Sequence, residues 1–129
     1  MKILHITTRT AWIEATRAGQ YVAPSLATEG FIHCSTARQA LPVARKFYKG
    51  QPYLVWLEID PARLTSELKW EPPSDGTPPP GVRQGEAFPH IYGPINLGAV
   101  VQVVDFETDA GGDFVLPASL QNGQSGESA

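Results

Sequence analysis

The chain has a single cysteine, Cys34, so no intramolecular disulfide can form and packing alone must hold the fold. It has no long apolar run. The N-terminal MKILHITTRT offers only a short apolar stretch broken by His5. That is too short for the core of a secretory leader and far too short to span a bilayer. No basic run exists either: Arg45-Lys46 is the densest spot, and 10 Lys and Arg against 13 Asp and Glu give a net charge of −3. A protein that neutralises many phosphates carries a basic stripe. Extended nucleic acid is therefore disfavoured as a partner, whereas a short or single-ended RNA is compatible with the charge. Phosphate-loop, GxGxxG, HExxH and nucleophile-elbow signatures are all missing. No internal repeat or membrane segment is present, and nothing signals an oligomeric state. The expectation is a protein of a reducing, cytoplasmic compartment. Its 129 residues, 42% of them hydrophobic, suit one ordinary core.

What is present is a set of short elements. Residues 2–7 and 31–34, the run YLVWLEID at 53–60, a shorter piece at 68–71 and AVVQVVDF at 99–106 read as strands. Residues 10–18 read as a helix opened by Thr8 or Thr10 and stopped by Gly19, and residues 24–29 as one or two helical turns. Thr36 with Gln39 fits a capping box opening a helix to about Tyr48, which Pro42 should kink or delay. Residues 72–87 are too rich in proline and glycine for any regular element; a loop of that length is a lid, a binding loop or disordered. Residues 117–129 should form a disordered tail after a single domain at 1–116. Strands and helices mix without regular βαβ repetition, which predicts an α+β fold with a mostly antiparallel or split sheet.

All three histidines, His5, His33 and His90, sit in apolar, strand-like stretches. Side chains alternate along a strand. His5 therefore shares a face with Ile3 and Thr7, and His33 with Phe31 and Ser35, each opposite an apolar face. If the two strands are neighbours, His5, Thr7, His33 and Ser35 line one polar patch; the competing reading is that each histidine is a satisfied structural residue. Cys34 points away from His33, so it reads as a buried, inert thiol rather than half of a Cys–His pair. In FPHIYGP, His90 and Tyr92 project together from a segment stiffened by Pro89 and Pro94. Glu71 is a weaker acidic candidate, and Glu58 is expected to face solvent. Three histidines also suffice in number for a metal site, though their spacing carries no local signature.

The stretches LHITTRTAW, YVAPSLATEGFIHCST with the following Gln39, KFY, LVWLEID, LKWE and FPHIYGPINLGAV resemble the domain of unknown function 952 family of small bacterial and plant proteins. They cover most of residues 3–101 in order. That family brings no established activity. Its fold is similar to that of the ADP-ribosyltransferases, an α+β split, antiparallel-rich sheet around a cleft that binds NAD, with flanking helices. The resemblance implies a ribose-contacting role for His5 and a second catalytic role for His33, closest to the RNA 2′-phosphotransferase branch. It supplies no counterpart for the glutamate of many transferases. On this basis the candidate catalytic residues are His5, His33 and His90. The candidate cofactor-binding residues are Thr7, Arg9, Tyr21, Ser35 and Tyr92, with Tyr21 or Tyr92 stacking on nicotinamide and NAD as the cofactor. Three functions follow: a nucleotide-binding cleft with ADP-ribosyl or RNA 2′-phosphate transfer, a non-catalytic small-ligand module on the same fold, and a histidine metal site.

Overall fold

The computed structural model describes residues 1–121 of the 129. In chain order the elements are β1 (Ile3–Thr8), α1 (Arg9–Ala18), β2 (Gln20–Tyr21), α2 (Pro24–Glu29), β3 (Ile32–His33), α3 (Ala37–Phe47), β4 (Leu54–Ile59), β5 (Glu67–Glu71), β6 (Phe88–Tyr92), β7 (Ile95–Asn96), β8 (Val100–Asp105), β9 (Glu107–Thr108) and β10 (Phe114–Val115). Two 3-10 turns, Pro61–Arg63 and Leu97–Ala99, punctuate the second half. The class is α+β, with every strand pair antiparallel.

Local chemistry explains the helices. The Thr8 hydroxyl accepts from the Ala11 amide to start α1, and Gly19, at φ 90°, closes it. The Thr36–Gln39 capping box opens α3 as the sequence indicates. Pro42 stays inside that helix, so the Arg38 carbonyl loses its helical partner.

Three strands in the order β8–β4–β1 form one sheet, and β3–β6–β5 form another. The two meet at one place: Leu4 and Ser35 exchange both backbone hydrogen bonds, each 2.8 Å. Beyond that pair β1 and β3 diverge, and the sheet parts. β1 and β4 are buried throughout their length except at Thr8, because α1 covers one face and α3 the other. Ile3, Val55, Leu57, Ile91 and Tyr21 pack under α1, and Leu4, Ile6 and Trp56 pack against Ala40 and Ala44 of α3. Full burial of each aliphatic side chain stabilises by about 1.5–3 kcal/mol.

Two expectations need correction. Glu58 does not face solvent. It lies opposite Leu4 on the α3 side at 7% exposure, takes a 3.4 Å hydrogen bond from Gln102, and burial pushes its carboxyl pKa up. The chain also remains ordered past residue 117: residues 118–121 form a helical turn and Leu120 is 1% exposed in the α3 core. A single leucine anchors that turn, which is why a mostly polar tail hides it. The rest of the expected disordered tail, residues 122–129, lies outside the described residues.

Candidate functional site

The eight residues singled out in the sequence fall into three places. His5, Thr7 and Tyr21 form a sealed network on the α1 side. His33, Ser35, His90 and Tyr92 gather on the α3 side. Arg9 stands apart, ion-paired with Asp105 at the outer edge of β8.

The expected common face of His5 and His33 is not formed, and the reason is register. Residues directly opposite in a sheet share a face. Since Leu4 is opposite Ser35, the His33–Ser35 face joins Leu4 and Ile6, and His5 points the other way. A one-residue difference in pairing reverses every side chain. Cys34 lies with His5's side, in the α1 core, free and buried, and burial drives its thiol pKa far up.

His5 nevertheless has a definite task. In an unbroken ladder, the carbonyl of His33, which faces β1, would accept from the backbone of β1. The sheet parts there, and the His5 ring takes that carbonyl instead, with Nδ1 at 2.6 Å. A carbonyl only accepts, so Nδ1 carries the proton. Burial at 5% exposure lowers the His5 pKa to about 4 and keeps the ring neutral, so Nε2 is an acceptor. The Tyr21 hydroxyl, 2.8 Å away, must donate to it, and Thr7, 2.9 Å from that hydroxyl, donates to Tyr21 in turn. Desolvation pushes the Tyr21 pKa up to about 12. All three groups are satisfied within the core, and Tyr21, 3% exposed, has no ring face to offer a ligand.

The other two histidines form the open site. His33 and His90 are directly opposite on β3 and β6, where the Cys34 amide bonds to the Pro89 carbonyl. This leaves His33–His90 as the non-hydrogen-bonded, closer kind of pair, with ring centroids 5.5 Å apart. Phe31 stacks on His90 at 4.2 Å and meets His33 edge-on at 4.9 Å. Each histidine holds a carboxylate: His33 Nε2 is 3.0 Å from Glu29, and His90 Nδ1 is 2.7 Å from Glu71. Tyr92 donates to the same Glu71 oxygen at 2.6 Å, while Lys69 lies 4.6 Å over the Tyr92 ring. Glu71 thus gains two hydrogen bonds that hold its pKa below the usual carboxylate range. Burial lowers the His90 pKa despite the Glu71 contact, so His90 is neutral at pH 7. Its single proton sits on Nδ1, facing the carboxylate, and its Nε2 is a free acceptor. No described residue hydrogen-bonds that Nε2.

That acceptor opens onto a cavity of about 430 Å³. Its floor is Leu4, Ile6 and Ser35, where β1 and β3 part; α3 supplies one wall, and the proline-rich loop, at Pro73–Thr77 and Pro79, closes the top. The loop is strapped onto α3. Lys46 binds Asp75 at 3.4 Å and the Thr77 carbonyl at 3.3 Å, and Gln39 donates to Glu86 and to the Ala87 carbonyl. Gly81, at φ +100°, passes so close to Pro42 that a Cβ there would lie 3.2 Å from the proline Cγ. Among the described residues, no cluster of three His, Cys, Asp or Glu side chains is placed to hold a metal ion, and no helix is long and apolar enough to cross a membrane.

A family model described as a protein of unknown function, DUF952, matches residues 6–103. The crystal structure of protein CC0527 from Caulobacter crescentus superposes with a TM-score of 0.78 at 32% identity, covering 94% of this chain and 99% of that one. A double mutant of the same protein gives 0.78 at 31% identity with the same coverage. Its solution NMR structure gives 0.68 at 33% identity, covering 87% of this chain and 90% of that one. No curated protein matches the chain.

Proposed function

The chain belongs to the DUF952 family of proteins of unknown function, and we propose that its cavity binds a small, largely apolar organic molecule and that His90 takes a hydrogen bond or a proton from it. One observation carries this reading. His90 is 2% exposed, its Nδ1 is committed to Glu71, and its Nε2 is left without a partner at the cavity wall. A neutral histidine oriented by a carboxylate is the usual form of a general base. The volume falls within the range of small-molecule sites. His33 with Glu29 is the second polar pair at the same wall, and Phe31 fixes both rings. The non-catalytic form of the same reading needs only the hydrogen bond.

A second reading is binding of NAD or a related nucleotide, with ADP-ribosyl or RNA 2′-phosphate transfer. The parted sheet beneath the cavity favours it, since that is the architecture the ADP-ribosyltransferase resemblance implies. The composition of the wall favours the first reading: among the described residues no Lys or Arg lines the cavity, and a diphosphate needs cations.

A thermal-shift screen separates the two. A ligand at about 100 times its Kd raises stability by about 2.7 kcal/mol. The screen should contain neutral and amine fragments beside NAD, ADP-ribose, nicotinamide and a 2′-phosphorylated dinucleotide. The first reading expects fragment hits that are lost in His90→Gln with the unliganded melting point little changed. Shifts from NAD and ADP-ribose alone would establish the second and overturn the first.

A further inference from the structure

Resting on that reading, we infer that the ligand of the cavity is an organic cation: an amine or ammonium group carried on an apolar body. The hydrogen-bonding inventory of the wall points to it. Neutral His90 presents only an acceptor, Nε2. The two charged side chains that line the cavity, Glu29 and Asp75, are also acceptors only. The lining hydroxyls of Ser35, Tyr48, Ser74 and Thr77 serve either way, whereas the acceptor-only groups are met by a ligand that brings donors, and an alkylammonium has three and no acceptor.

Charge agrees with the inventory. Among the described residues, Lys46 is the one lysine or arginine paired with a lining carboxylate, and its ammonium is spent on Asp75 and the Thr77 carbonyl. Glu29 faces only His33, and Glu71 stands directly behind His90. Among the described residues no Lys or Arg pairs with Glu29, and Lys69, at the Tyr92 ring, offsets Glu71 only in part, so the inner wall favours a cation. The rest of the lining suits the body of such a molecule. Phe47, Tyr48 and Phe88 bring aromatic rings, whose faces attract cations, and Leu4, Ile6 and Val43 supply aliphatic surface. The Nε2 of His90, which has no hydrogen-bond partner among the described residues, is independent of the carboxylates and offers a second acceptor to the same donor.

Three probes of one shape decide the matter: 2-phenylethylamine, 2-phenylethanol and 3-phenylpropanoate. Each is titrated into 15N- and 13C-labelled protein at about pH 8, and the ring resonances of His33 and His90 are followed. The amine should bind at least several-fold more tightly than the alcohol, and the carboxylate least. Glu29→Gln should weaken the amine by about two- to fivefold, the range expected for one partly exposed charge, and leave the alcohol unchanged. Binding of the alcohol or the carboxylate as tight as the amine would overturn the inference and leave the cavity reading standing. If none of the three moves either histidine, both fail. An unchanged amine affinity in Glu29→Gln, with the charge preference intact, would move the preference to Glu71 and overturn the role of Glu29 at the rim.

Discussion

His5 should make the protein lose stability in mild acid, and the size of the loss follows from its burial. The folded ring has a pKa of about 4, while the unfolded ring should titrate near 6.5. Above about pH 6.5 both states are neutral and the His5 network contributes fully. As pH falls below that value, the unfolded chain binds a proton that the folded chain refuses, so stability declines until the folded ring also protonates near pH 4. The slope approaches 1.4 kcal/mol per pH unit, which amounts to about 2 kcal/mol by pH 5 and about 3 kcal/mol at the floor. Other groups titrate in the same range. The His90 pKa is lowered too, Glu71 and Asp75 add losses at lower pH, and Glu58 acts in the opposite sense. His5→Gln keeps all of these and removes only the imidazole; its amide can still donate to the His33 carbonyl and accept from Tyr21. Urea unfolding followed by tryptophan fluorescence, run on both proteins between about pH 8 and pH 5, isolates the His5 contribution. The wild type should be the more stable at pH 8, and the gap should shrink by about 2 kcal/mol at pH 5, about 1 M in midpoint at an m-value near 2 kcal/mol per M. A gap that stays constant with pH, at equal m-values, would mean that His5 titrates normally and is not the sealed, neutral plug of the parted sheet.

Three further outcomes are expected. Cys34 should resist a thiol-specific disulfide reagent at pH 8 in the folded protein and react once urea unfolds it; rapid native reaction would show that its thiol opens onto the cavity that Cys34 helps to line rather than into the core. Glu71→Gln should lower the NMR titration midpoint of His90 further, because the carboxylate is the main group raising it, and should bring the Tyr92 pKa down towards its ordinary value; a rise for His90 would refute the pairing. Gly81→Ala should destabilise by about 1 kcal/mol in urea and speed proteolysis of the 72–87 segment, since alanine is strained at φ +100° and meets Pro42; an unchanged protein would show that the strap tolerates displacement from α3.

Much of the fold was legible in short range. The capping box, the glycine stop after α1 and the proline-rich loop all depend on residues within a few positions of each other. The site was legible in part. The alternation rule placed His33, Ser35 and Cys34 on their correct sides of β3, and His90 with Tyr92 on one side of β6. It failed for His5, because alternation fixes sides within a strand and says nothing of the register between strands. The hydroxyl shared by both faces, Thr7 beside His5 and Ser35 beside His33, made the wrong register look natural. Glu71 was undervalued for a related reason. Its partner lies 19 residues away, and only the pairing of β5 with β6 brings the two together. Glu58 broke the rule that a strand carboxylate faces water, since both faces of β4 are covered.

The meeting of the two half-sheets at Leu4 and Ser35 has a consequence for how the chain can be made. One half draws on residues 3–8, 54–59 and 100–105, and the other on 32–33, 67–71 and 88–92. The segments interleave along the polypeptide, so no contiguous fragment contains either half alone. During synthesis β3 waits for β6, and the first half stays open at one edge until β8 emerges. The parted region gains its second flank only when β6 arrives, and any fragment ending before residue 88 must leave β3, the strand that carries His33, without its partner.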